Sequence, residues 1–128
     1  MQPQSIMHFL LLSAPEAEFI SKELTEVLEP LGSLTTIWAD EETSIEKAIR
    51  PGTLIIIDAT VVEHVEELVA RLRTEHPERR VVVLTASPTW QRARAAFEAG
   101  AIDYLSKSMS WEELRKAFQH ASTGTIPR

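Results

Sequence analysis

Short apolar runs alternate five times with longer amphipathic stretches along this chain, and that alternation constrains the fold more than any other feature. A strand covered on both faces reads as an unbroken apolar run, whereas a helix facing a core repeats its apolar residues every three to four positions. Repeated exchange between the two patterns is the mark of a parallel sheet joined by crossover helices. Strands are expected at residues 8–12, 34–39, 54–57, 81–84 and 102–105. The first, third and fourth are almost wholly apolar and suit the centre of the sheet. The second, with Thr35 and Thr36, and the fifth, with Asp103, suit its flanks.

Between these runs, Phe19, Ile20, Leu24, Val27, Leu28 and Leu31 share one face of a first helix ended by Gly32. A short second helix is expected at residues 44–50, with Ile45, Ala48 and Ile49 apolar, broken by Pro51-Gly52. Val62, Val65, Leu68, Val69 and Leu72 define a third, stopped at His76-Pro77. Ser87-Pro88 reads as a cap and first-turn proline opening a fourth helix, with Ala93, Ala96 and Phe97 inward and Gly100 at its end. Ser110 and Glu113 spell a capping box for a fifth, which carries Leu114, Ala117, Phe118 and Ala121. Periodicity is lost after that, so one domain is expected over residues 1–121, with 122–128 a tail or the start of a linker.

With 128 residues, 44% of them apolar, the chain suits one compact core. It has no cysteine, which removes disulfides, thiolate metal sites and thiol nucleophiles. Its longest apolar runs, such as 9–12 and 81–84, fall far short of the ~20 residues of a membrane span. Met1-Gln2-Pro3-Gln4 places no basic residue ahead of an apolar stretch, so no signal peptide is expected, and the location expected is cytoplasmic. Nineteen acids against 13 bases give a net charge of −6, which disfavours direct nucleic-acid binding.

In an open parallel sheet, ligands bind outside the carboxyl ends of the strands, where strand order reverses. The residues carried to that edge are Ser13-Ala14, Asp58-Ala59-Thr60, Thr85-Ala86-Ser87 and Ser106-Lys107-Ser108. A carboxylate, a hydroxyl and an ammonium converging there have the chemistry of an acyl-phosphate site. Asp58 would be the nucleophile, Thr85 would bond a phosphoryl oxygen and Lys107 would pair with its charge.

Leu54-Ile55-Ile56-Ile57-Asp58, Val81-Val82-Val83-Leu84-Thr85-Ala86 and Ala99-Gly100-Ala101-Ile102-Asp103-Tyr104-Leu105-Ser106-Lys107 resemble three defining blocks of bacterial response-regulator receiver domains. The resemblance runs from about residue 8 to residue 121. It implies a flavodoxin-like, doubly wound three-layer α/β sandwich with a five-stranded parallel sheet of order 2-1-3-4-5 and right-handed crossovers. It also implies that Asp58 is the phosphoacceptor, Thr85 the switch hydroxyl, Tyr104 the rotameric aromatic of the fifth strand and Lys107 the family's lysine.

Three departures stand out. The family's two adjacent acids after the first strand are Ser13-Ala14 here, which leaves Asp58 and the backbone of Thr60 at the matching metal-site positions. Mg²⁺ binding is therefore expected to be weak or absent. Glu16 is better read as part of a Ser13-Ala14-Pro15-Glu16 capping box than as a substitute ligand. Ser108 replaces the family's proline after the lysine, so the family's cis bond is not expected there. Ala59-Thr60 replaces Met-Pro after Asp58. With two acids gone from beside it, Asp58 is free to pair directly with Lys107 without a metal.

Other chemistries find less support. His8, His64, His76 and His120 have no metal-ligand spacing, and no transition-metal site is expected from them. No Gly-x-Ser-x-Gly elbow accompanies Ser13, Ser87 or Thr85, which argues against a serine hydrolase. The first strand is followed by no glycine-rich turn, which argues against a dinucleotide-binding enzyme and weakens a flavodoxin-like ligand-binding protein. Arg71, Arg73, Arg79 and Arg80 read as a solvated face balancing Glu63, Glu66 and Glu67. Trp90, Tyr104 and Trp111 fall on the fourth helix, fifth strand and fifth helix, the face through which receiver domains often dimerise or act, although Trp111 suits a core staple equally well.

The expectation is a non-enzymatic two-component receiver, atypical at Ser13-Ala14, with Asp58 the candidate phosphoacceptor and the Tyr104 face its output. The partners implied are a sensor histidine kinase or other signalling protein, an attached or separate output module, and a second copy through the fourth helix, fifth strand and fifth helix. The alternative is a phosphorylation-independent pseudo-receiver.

Overall fold

The computed structural model describes residues 7–38 and 42–123. The expectations for Met1-Gln2-Pro3-Gln4, for Ala39 and for tail residues 124–128 lie outside them. Along the chain come β1 (Met7–Ser13), a 3-10 turn (Pro15–Ala17), α1 (Glu18–Leu28), β2 (Gly32–Trp38), α2 (Glu42–Ala48), β3 (Leu54–Asp58), α3 (Val65–Glu75), β4 (Arg80–Thr85), α4 (Trp90–Ala99), β5 (Asp103–Ser106) and α5 (Trp111–Thr123). The strands form one sheet of order β2-β1-β3-β4-β5, every neighbouring pair parallel. This is the expected doubly wound, flavodoxin-like sandwich.

Side chains alternate across a strand, so each central strand feeds two cores. Phe9, Leu11, Leu54, Ile56, Val82 and Leu84 face α1 and α5, where they meet Leu24, Leu28, Leu114 and Phe118. The rings of Phe9 and Phe118 meet edge to face, 6.4 Å apart and inclined by 72°. Leu10, Leu12, Ile55, Ile57, Val81 and Val83 face the other way, toward Ile45, Val69, Leu72 and Ala96. The unbroken apolar runs of β1, β3 and β4 reflect burial on both faces, whereas no residue of the edge strand β2 is fully buried.

Several local expectations are corrected. Phe19 is 59% exposed, because the buried stripe of α1 is Ile20, Leu24, Val27 and Leu28 and Phe19 sits one residue out of phase with it. Gly32 opens β2 rather than ending the helix; a Cβ there would collide with the Met7 carbonyl of the paired strand. Leu31 follows α1 in the turn and packs against the core from there. Val62 precedes α3, its amide donating to the Asp58 carbonyl over 3.0 Å. The cap of α4 is Thr89, whose hydroxyl accepts from the Arg92 amide, so Ser87-Pro88 lies before the helix. Phe97 is 46% exposed, since α4 turns its small residues inward. Gly100 does end α4, at φ 118°, with Arg73 packed where a side chain would stand. The α5 capping box forms in both directions: Glu113 accepts from the Ser110 amide, and Ser110 accepts from the Glu113 amide. That helix runs to Thr123, two residues past the expected domain end.

His8, at the start of the apolar run of β1, is buried between two threonines. Thr53 Oγ1 lies 2.8 Å from Nδ1 and Thr35 Oγ1 lies 3.0 Å from Nε2. Thr53 Oγ1 also accepts the Arg50 amide, which ties the imidazole to the turn before β3. Burial, aided by the nearby Arg50 charge, holds the His8 pKa below its ordinary 6.5. The unfolded chain therefore protonates first, and stability falls as pH drops through that value until the folded-state pKa is passed. Urea midpoints measured from about pH 7.5 to about 5.5 should decline in the native protein and decline less in His8→Val; identical slopes would exclude His8 as the cause.

Candidate functional site

The parallel register brings the ends of β1, β3, β4 and β5 to one edge. Asp58 ends β3 and is wholly buried. Its Oδ1 lies 2.7 Å from Lys107 Nζ and accepts the Thr60 amide over 3.1 Å. Its Oδ2 accepts the Ser13 hydroxyl over 3.3 Å. The direct Asp58–Lys107 pair anticipated from the loss of the acids is thus present. The lysine is aimed by its backbone, whose amide donates to the Thr85 carbonyl over 2.8 Å. Its side chain is 14% exposed.

Ser13 needs a correction. The 3-10 turn is preceded by Ala14, which makes no side-chain cap, and the expected Ser13–Glu16 capping box does not form. Pro15 starts a tight turn immediately after the strand. Ser13 remains in β1, buried, with its hydroxyl turned to Asp58. The Ser-x-x-Glu spacing concealed this role, although Ser13 stands where the family resemblance places an acid.

Thr85 reaches the same edge, where its hydroxyl accepts the Ser87 amide over 3.2 Å. It lines a cleft of about 380 Å³ together with Thr60, Ser87, Arg92, Ala96 and Tyr104. The Thr60 hydroxyl accepts the Ala86 amide over 3.0 Å, tying the loop after β3 to the loop after β4. After β5, Ser108 takes the family proline's place and its amide donates to Ser106 Oγ over 3.1 Å. No cis peptide bond occurs among the described residues.

The three aromatics do not gather on one layer. Tyr104 packs with the core beneath α3 and α4, and Trp90 stands exposed at the start of α4. Trp111 is half-exposed on the opposite layer, bordering a small pocket with Lys107, Leu84 and Leu24. A larger cleft of about 630 Å³ opens beside Ser13 between the turn after β1 and the start of α3, with Glu16, Glu63, His64 and Arg71 among its walls.

A divalent cation at this edge is implied by the family resemblance. The Asp58 carboxylate has both oxygens engaged, one by the Lys107 ammonium and the Thr60 amide and the other by the neutral Ser13 hydroxyl. Mg²⁺ seeks anionic oxygens in octahedral geometry, and this set does not fit it.

An open parallel sheet of this strand order, with acid, hydroxyl and lysine at its carboxyl edge, defines a receiver-type domain. Residues 16–119 match the family described as response regulator receiver domain. The DNA-binding transcriptional regulator NtrC of Azospirillum brasilense is 29% identical, over 91% of this chain and 25% of its own length. The chain thus spans about a quarter of that curated relative. An orphan response regulator of H. pylori, HP1043, superposes with a TM-score of 0.78 at 22% identity, covering 94% of this chain and 99% of that one. A response regulator from Thermotoga maritima gives 0.76 at 23% identity, covering 94% and 100%. The chain belongs to the response regulator receiver domain family of two-component signalling, whose members work with histidine kinases and output domains. No helix among the described residues is long and apolar enough to cross a membrane.

Proposed function

We propose that this is an atypical, non-enzymatic receiver domain in which Asp58 is the phosphoacceptor, held at rest by Lys107 and Ser13 and therefore slow to react. The observation that carries the reading is the closure of the site by the lysine: Lys107 Nζ sits 2.7 Å from a carboxylate with no solvent exposure. In the reaction, an Asp58 oxygen attacks the phosphorus of a phosphodonor and the donor's P–O or P–N bond breaks. Lys107 then pairs with the phosphoryl charge. Thr85, whose oxygen accepts the Ser87 amide and whose proton is still to give, would turn to donate that proton to a phosphoryl oxygen, and Tyr104, in the same cleft, would feel that movement. Mg²⁺ affinity is weak in this proposal, since Ser13-Ala14 supplies no carboxylate.

The proposed upstream partner is a histidine kinase, and the location is cytoplasmic. The surface from α4 through β5 to α5 serves an output module or a second copy of the chain. Any DNA contact belongs to an attached or separate module, because the domain itself carries a net charge of −6. The same closure favours a second reading, a pseudo-receiver that switches by binding alone.

Intact-mass analysis after acetyl phosphate and Mg²⁺, beside Asp58→Asn and a conventional receiver, separates the two. A single phosphoryl adduct absent from the variant is expected. It should form at least about a hundredfold more slowly than in the conventional receiver, because metal charge stabilisation is worth several kcal/mol. No adduct at all would exclude the phosphoacceptor role and leave the pseudo-receiver.

A further inference from the structure

At the sheet edge opposite Asp58, α3 ends in Glu75 with His76 as its C-cap, and α2 brings Glu46 beside them. A carboxylate oxygen from each glutamate and a ring nitrogen of His76 all lie within 4.8 Å of one another. The backbone of His76 is fixed from both sides: its amide donates to the Leu72 carbonyl over 2.7 Å, and its carbonyl accepts the Arg79 amide over 2.9 Å. Its Nε2 is buried and has no hydrogen-bond partner among the described residues. Such buried, unsatisfied polar atoms are few in folded chains and call for an explanation. The nearby Arg79 guanidinium is already committed, to Glu78 over 3.6 Å and to the Arg50 carbonyl over 2.8 Å.

From this cluster we infer a divalent transition-metal site, of the kind Zn²⁺ occupies, formed by Glu46, Glu75 and His76 with water completing the coordination. Imidazole with two carboxylates is a donor set for a borderline cation such as Zn²⁺. Tetrahedral ligands at zinc distances stand about 3.3 Å apart, so closure requires the donors to approach by roughly 1.5 Å at most. The two glutamates are exposed and free to rotate that far. The cation also meets the negative end of the α3 dipole. Bound there, it clips α2 to the end of α3 and acts independently of chemistry at Asp58. The four histidines show no ligand spacing in sequence because the site draws its third donor from a different helix.

The test uses the untagged full chain, stripped of metal and titrated with ZnCl₂ by calorimetry and by thermal unfolding. One equivalent should bind and raise Tm, as any ligand specific to the folded state does. Co²⁺ should give the visible bands of a low-coordinate N/O site. Glu46→Gln combined with Glu75→Gln, both exposed positions, should keep the apo Tm and weaken binding at least about tenfold, while Asp58→Asn should bind as the native protein does. Absence of stoichiometric binding, binding that survives the double substitution, or binding lost in Asp58→Asn would each overturn the inference.

Discussion

Lys107→Met lowers the unfolding free energy by about 3–5 kcal/mol, because it strands a wholly buried carboxylate without its counter-ion. The pair itself contributes far less than that figure. Desolvating two charges roughly offsets their attraction, so the loss measures the penalty on the partner left behind. Ser13 and the Thr60 amide still bond Asp58 in the variant, which places the expected value toward the lower end. Asp58→Asn should cost less, since Lys107 at 14% exposure can turn its ammonium to water. The double variant should recover most of the loss, an interaction that a double-mutant cycle reads directly. Urea unfolding with an unchanged m value is the measurement. A Lys107→Met protein within about 1 kcal/mol of native would mean the buried pair does not form in solution.

How much of this was legible in the sequence depends on the range of the interaction. Residues 9–12, 54–57 and 81–84 announced the central strands, because burial on both faces writes itself as an unbroken run. The Ser110–Glu113 box is local, so its spacing alone identifies it. Ser13–Glu16 has the same spacing but forms no box, since a cap also requires the chain to enter a helix directly, and Ser13 is still in β1. Phe19 and Phe97 were placed inward by hydrophobicity, yet each lies one residue off a stripe whose phase only helix docking decides. At the site, Asp58 and Lys107 were identifiable because topology alone carries strand ends to one edge. The Thr35–His8–Thr53 network and the meeting of Glu46 with His76 were not, because each joins separate elements through side-chain geometry that no spacing rule encodes.

Restoring the acids makes the opposite trade. Ser13→Asp with Ala14→Asp places a second carboxylate where the Ser13 hydroxyl now sits, 3.3 Å from Asp58 Oδ2. At that separation, like charges repel by about 5 kcal/mol at an effective dielectric near 20. Lys107 can compensate only one of them. In EDTA the double variant should therefore lose about 3–5 kcal/mol of stability. Millimolar Mg²⁺ should return much of it, because the ion binds only the folded arrangement. The native protein, with no acid pair to relieve, should show no comparable response to Mg²⁺. The same ion brings positive charge to the phosphoryl oxygens, so labelling by acetyl phosphate should accelerate about a hundredfold or more over the native chain. Ala14→Asp alone, at a half-buried position, is the milder substitution should the double variant not fold, and its labelling should move in the same direction. If neither variant gains stability or labelling rate from Mg²⁺, then Ser13-Ala14 is not what sets the reactivity of Asp58, and the closure by Lys107 alone must account for it.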